Sequence, residues 1–417
     1  MKSKIIIFSV IAFSSLACQN DPPEEQENLA EAKVAKIDSL ANRYLELGRF
    51  SGAIVVAKGE SVFYQNYFGL ADYENNQSFS DRTTFKIGAV SELVTSSIIQ
   101  QMADDGKIDL TDSISTHIPE INAGFTVGEL LNHQANLPSI QSIQESNPEV
   151  EYATIAFANL ATNSSETSER SDLGYNILGL LIEEVSGQSF QENVEQYAEE
   201  RGLENTYFQA EDSTMATGYL YNNYRGNGME LHESPAYNPD VKFSSGGIKS
   251  TAQDVVKIIN DTSKKAVELD GYLPNDGFSY AVNRSTASDT TIVVLSNRRH
   301  PVAREIITSA RAILQGKDYQ LPLLREPVAV DPAVLKSYTG TYTMNENMSF
   351  SVIHENDSLF VLMGPNRIPV IPQSSNQFYM EQNDAAIRFL RDDSNAVTGV
   401  MLLDGFLEGN VAKRVEE

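Results

Sequence analysis

The chain has 417 residues, long for a single domain, and its 41% apolar content is enough for packed cores, which argues against a disordered protein. It carries 57 acidic against 31 basic residues, a net charge of -26 that repels phosphate backbones and anionic head groups, so nucleic acid is not expected as a partner. One cysteine in the whole chain rules out an intrachain disulfide.

At the N-terminus Lys2 and Lys4 precede an apolar run from Ile5 to Phe13, and small residues then lead to Cys18. This is the pattern of an export signal, too short for a stable membrane span. The text SSLAC resembles the bacterial lipobox, although Ser15 stands where that pattern usually has leucine. The resemblance implies that residues 1–18 are a lipoprotein signal, that Cys18 carries the lipid, and that a membrane of the cell envelope holds the chain on its periplasmic or extracellular side. A plain secretory signal with an incidental cysteine is the other reading. Residues 19–32 are acidic, contain proline and have little to bury, so they read as a flexible tether.

From Ser51, two β-branched and aromatic runs flank Lys58-Gly59, a hairpin whose apolar density predicts burial on both faces. Between Val90 and Met102 the apolar residues follow helical spacing and Asp105-Gly106 ends the run, so Gly88 to Val90 falls at a strand-to-helix junction. Leu173 to Gly187 reads as a second helix, and another follows Ala252. Thr290 to Asn297 is a predicted buried strand and Ala303 to Leu314 a predicted helix. After a linker at 319–330, the runs SFSVIHE, SLFVLMG, AIRFLRD and GVMLLDG predict a small all-β domain over 331–417, behind a main domain at 33–318.

Five segments in order resemble the β-lactamase-related serine hydrolases, the group of class C β-lactamases, D,D-peptidases and related esterases. They are FKIGAVSELVTSSIIQQMADDGKIDLTDSIS, TVGELLNHQANLP, DLGYNILGLLIEEVSG, SSGGIKSTAQDVVKI, and DGFSYAVNRS with TTIVVLSNR. The resemblance implies an α/β (α+β) class, with a mixed sheet, flanking helices, a helical subdomain and an active site in the cleft between them. The all-β tail resembles the small domain often appended to such hydrolases. It also implies a mechanism. A serine at a helix N-terminus attacks an acyl carbonyl, a lysine one turn later keeps it reactive, and a Tyr-x-Asn tyrosine moves the proton. A Lys/His-x-Gly edge strand helps bind the substrate, and backbone N–H groups hold the oxyanion.

The residues at those positions lack that chemistry. In the family pattern F-[RK]-I-G-S-x-S-K, Ala89 falls at the nucleophile and Glu92 at the lysine, and no lysine in the chain has a serine three residues before it. At the Tyr-x-Asn motif stand Arg170, Ser171 and Asp172, and an arginine stays protonated at any ordinary pH, so it cannot serve as a base. At the Lys/His-x-Gly motif stand Gly271 and Leu273. The charge exchange at 92 and 170 predicts an ion pair filling the old centre, because a buried carboxylate without a partner is costly.

These replacements predict a pseudoenzyme whose cleft serves a peptidoglycan-like or small acyl ligand, or a partner protein. The alternative is an active hydrolase of β-lactamase, peptidase or esterase type with a non-standard nucleophile such as Ser91, assisted by Asp172 or His133. A purely structural envelope lipoprotein is the third reading. No cofactor is expected. His133 reads as a structural residue, and His117, His232, His300 and His354 have no metal-ligand spacing.

Overall fold

The computed structural model describes residues 23–147, 153–161, 170–208, 214–222, 230–234, 243–262, 265–273, 276–298, 302–322, 327–345, 348–364, 366–380, 385–403 and 409–415. Cys18 and the signal segment lie outside them. Among the described residues no helix is long and apolar enough to cross a membrane.

Five strands form the central sheet: β1 (Gly52–Lys58), β2 (Ser61–Phe68), β3 (Val267–Leu273), β4 (Phe278–Ser285) and β5 (Thr290–Ser296), in the order β3-β4-β5-β1-β2. All four pairings are antiparallel, so the expected mixed sheet is corrected in this detail. Hairpins impose it: β1 turns directly into β2, and β3, β4 and β5 follow one another through short connections. The α/β class with a separate all-β unit stands.

Alternation along the central strands divides the core in two. Ile54 and Val56 of β1, with Ile292 and Val294 of β5, face helices α1 (Pro23–Glu46) and α5 (Val302–Leu314). Ala53, Val55, Val293 and Leu295 face the helical body, which contains α2 (Ser91–Asp104), α3 (Asp172–Ser186) and α4 (Ala252–Thr262). The prediction of burial on both faces holds for β1 but not for β2, which is the sheet edge and leaves Val62 and Phe63 exposed. The tether expected over 19–32 is corrected from residue 23 onward, where α1 has already begun. Proline is tolerated at a first helical position, where Pro23 stands.

The C-terminal unit is a closed eight-stranded barrel: β6 (Gly340–Asn345), β7 (Met348–Glu355), β8 (Ser358–Met363), β9 (Asn366–Pro372), β10 (Gln377–Met380), β11 (Ala385–Arg391), β12 (Val397–Leu402) and β13 (Val411–Arg414). Closure pairs Tyr342 of β6 with Arg414 of β13, which leaves no open edge. A short helix, Pro332–Ser337, precedes the barrel, capped by the Asp331 carboxylate accepting from the Ala333 N–H at 2.8 Å.

Candidate active-site region

Helix α2 begins at the junction the sequence indicates. The strand Phe85–Lys86 pairs with Ile248–Ser250, a 3-10 turn runs from Gly88 to Val90, and α2 follows. Gly88 has a φ of +53°, which glycine adopts without strain. Ala89, Glu92 and Ser91 therefore occupy the first turns of a helix set into the core.

Glu92 is almost enclosed, with 7% of its side chain exposed, and its Oε2 accepts a close hydrogen bond from Arg170 Nη2. The predicted ion pair is present. Arg170 lies just ahead of α3, and its side chain is 52% exposed, so it covers the carboxylate from the solvent side. His133, read from sequence as merely structural, is a third member of the cluster: its Nε2 stands 3.4 Å from the same Oε2. Its left-handed backbone (φ +54°) and its ring, 5.0 Å from that of Tyr175, aim it there. Tyr175 donates to the Leu131 carbonyl at 3.0 Å and shares a 2.9 Å hydrogen bond with Ser96, and burial pushes its pKa up to about 12. It stays a neutral phenol at physiological pH.

Arg170→Ala is expected to lower unfolding stability by about 1–2 kcal/mol, less than the loss of a fully buried pair because solvent screens the arginine. Adding Glu92→Leu to that variant should restore part of the loss, since the uncompensated carboxylate is gone. Denaturant unfolding of the two single variants and the double variant measures the coupling. A coupling indistinguishable from zero would remove the ion pair from the account.

Ser91, the alternative nucleophile, has no exposed surface, and its Oγ accepts the Ile248 N–H at 3.3 Å. It joins α2 to the strand Ile248–Ser250 instead of facing the cleft. Ser171 Oγ donates to the Pro138 carbonyl at 2.6 Å, and Asp172 opens α3, where its charge suits the helix N-terminus. Leu273 is buried in the core at the end of β3. Gly271, two residues earlier, pairs across the sheet with Tyr280 of β4.

Tyr280 was missed by the sequence reading. Its ring reaches from β4 to the start of α2, where its hydroxyl oxygen accepts the Ala89 N–H at 3.1 Å. Burial raises its pKa to about 12, with smaller effects from the facing Glu92, Asp172 and Arg170, so it too remains neutral. A second ion pair missed by the sequence reading, Lys86 Nζ to Asp276 Oδ1 at 2.6 Å, ties the strand before α2 to the approach of β4. Helices α2 and α3 are locked together through residues 243–246: Thr95 Oγ1 donates to the Ser244 carbonyl and Ser244 Oγ to the Tyr175 carbonyl, both at 2.8 Å.

A hollow of about 10 Å³, room for about one water, adjoins the cluster beside His133, Asn136 and Ser171, far below the size of ordinary small-molecule sites. A larger one, about 240 Å³, lies at the opposite end of α2 among Gln101, Asp105, Gln188 and Tyr197, away from these residues. No group of three or more histidine, cysteine or acidic side chains suited to a metal occurs among the described residues.

An antiparallel sheet covered by helices on both faces, with a buried helix presenting its first turn to an edge strand, is the architecture of the penicillin-binding and β-lactamase-type proteins. The β-lactamase family model matches residues 35–272, more than half of the chain, which belongs to the β-lactamase-related serine hydrolase family. Residues 324–410 match a domain of unknown function, DUF3471. Penicillin-binding protein 4* of Bacillus subtilis is 21% identical, over 86% of this chain and 94% of its own. A teichoic acid D-alanine hydrolase of Staphylococcus aureus is 25% identical, over 57% of this chain and 59% of its own. The octameric penicillin-binding protein homologue from Pyrococcus abyssi has a similar fold, with a TM-score of 0.57 at 21% identity over 91% of this chain and all of that one.

Proposed function

We propose that this protein is a non-hydrolytic, envelope-anchored member of its family that keeps the hydrolase scaffold for recognition. The observation that carries the reading is the catalytic centre itself. Position 89 offers a methyl group where an acyl bond must form, and position 92 holds a carboxylate tied to Arg170 where the lysine should activate a hydroxyl. The proton-transfer tyrosine is replaced by that same permanently charged arginine. The full burial of Ser91 weighs against a substitute nucleophile.

The relatives' names, penicillin-binding protein and teichoic acid D-alanine hydrolase, favour cell-wall peptides or polymers as the ligand class. Soluble cell-wall fragments are then expected to raise the melting temperature by mass action, and a flat response would favour a protein partner. The chain is exposed to a fluorophosphonate and, separately, to a penicillin, and its intact mass is measured. No added mass is expected. A stoichiometric adduct on the parent protein would sink the reading, and peptide mapping would name the nucleophile. Anchoring is tested on the full chain expressed in a bacterium: it should partition into the detergent phase of Triton X-114, and Cys18→Ala should move it to the aqueous phase.

A further inference from the structure

We propose that Tyr280 is a built-in ligand of this site: its phenol oxygen fills the place where an acyl oxygen would be received, and glycine stands at 271 to make room for its ring. The inference rests on the non-hydrolytic reading above and adds what has taken the substrate's place.

The Ala89 N–H is one of the donors that a helix N-terminus leaves without an intrahelical acceptor. In an acyl-transfer site a donor at the nucleophile position points at the oxygen on which negative charge develops. Here that donor is already engaged, at 3.1 Å, by Tyr280. The tyrosine is 6% exposed and is not a side chain passing through on its way to solvent. As a neutral phenol it presents an uncharged acceptor oxygen, as a substrate carbonyl does.

The two glycines beside the ring complete the argument. A Cβ at Gly88 would sit 2.2 Å from Tyr280 Cε1, and a Cβ at Gly271 would sit 2.7 Å from the phenol oxygen and 3.0 Å from Cζ. Gly88 belongs to the family pattern, but Gly271 occupies the position of the substrate-binding lysine or histidine. A side chain at 271 and the ring of Tyr280 cannot both occupy that space. The loss of the cationic residue and the arrival of the phenol are thus one rearrangement, which the positions of Ala89 and Glu92 alone do not reveal. Its consequence is that an acyl ligand cannot reach the Ala89 amide while Tyr280 holds it, so recognition in this cleft relies on groups other than that amide.

The direct test is Tyr280→Phe, which keeps the ring and removes the oxygen, read by amide hydrogen exchange. Exchange at Ala89 is expected to quicken about five- to tenfold, as loss of one hydrogen bond of ordinary net strength implies, with Val94 and Ile98 deeper in α2 unchanged. Unchanged exchange at Ala89 overturns the proposal. The second arm compares labelling by the fluorophosphonate in Ala89→Ser, Glu92→Lys, Arg170→Tyr and in the same protein carrying Tyr280→Ala as well. The fourth change should raise the labelling rate at least about tenfold, toward the contribution of a restored oxyanion donor. Equal labelling with and without it overturns the proposal. If neither is labelled, the exchange measurement decides. The non-hydrolytic reading fails on a different result, an adduct on the unmodified parent.

Discussion

Phe389→Ala is expected to lower the stability of the C-terminal barrel by about 3–5 kcal/mol, the usual cost of emptying a fully buried aromatic position. Phe389, on β11, is 1% exposed and lies parallel to Tyr338, with ring centroids 3.9 Å apart. It meets Phe378 and Tyr342 edge-on at 5.4 and 6.0 Å. These rings fill the barrel interior, and the two tyrosines are tied in: Tyr342 donates to the Tyr338 carbonyl at 2.7 Å and Tyr338 to the Ser375 carbonyl at 2.9 Å. The barrel core shares no residue with the two cores of the main domain. Calorimetry should therefore show two transitions, and the substitution should move only the barrel's, by more than about 10 °C for a unit of this size. A single transition moving as a whole would mean that the two units unfold together.

The sequence predicted four barrel strands by alternation, and the structure has eight. Three of the four missed strands have identifiable causes. Asn366–Pro372 contains Pro369, which argues against a strand unless its neighbours absorb the missing donor, and here it pairs with Phe360 of β8. Gln377–Met380 and Val411–Arg414 are four residues each, too short for a periodicity to register. The helix junction at Gly88, by contrast, was legible because a strand, a left-handed glycine and a 3.6-residue repeat follow one another within a few positions.

At the site, the substitutions at 89, 92 and 170 were legible because the family pattern fixes which residue types belong there. The Glu92–Arg170 pair followed from opposite charges at two positions that face each other across the cleft in the family. His133 as a third partner was not legible, since its approach to Glu92 depends on a left-handed backbone that its neighbours Gln134 and Ala135 do not announce. Tyr280 was hidden for a related reason. It lies on a strand whose register with Gly271 only the folded sheet defines, and its contact with Ala89 spans 191 positions of the chain. One signal was available: a bulky tyrosine two residues after Gly277-Phe278, with a glycine nine positions before it at a site where the family needs a side chain.

Gly179→Val should cost about 2–3 kcal/mol and, with it, the geometry that holds Arg170 over Glu92. Gly179 lies in the middle of α3, where an alanine would ordinarily favour the helix by about 1 kcal/mol. The reason for glycine is the close approach of residues 243–246. A Cβ at 179 would sit 2.1 Å from Ser244 Oγ and 2.6 Å from Phe243 Cε1. Ser244 also carries the hydrogen bonds that join α2 to α3, so displacing it moves the helix bearing Glu92 relative to the segment bearing Arg170. Two readouts separate a local clash from this wider effect. Denaturant midpoints report the stability loss, and the Glu92–Arg170 double-mutant cycle repeated in the Gly179→Val background reports the geometry. Loss of stability with the coupling intact would mean that the ion pair tolerates movement of α3. Loss of both would mean that the charge cluster depends on the close packing of α2, α3 and residues 243–246.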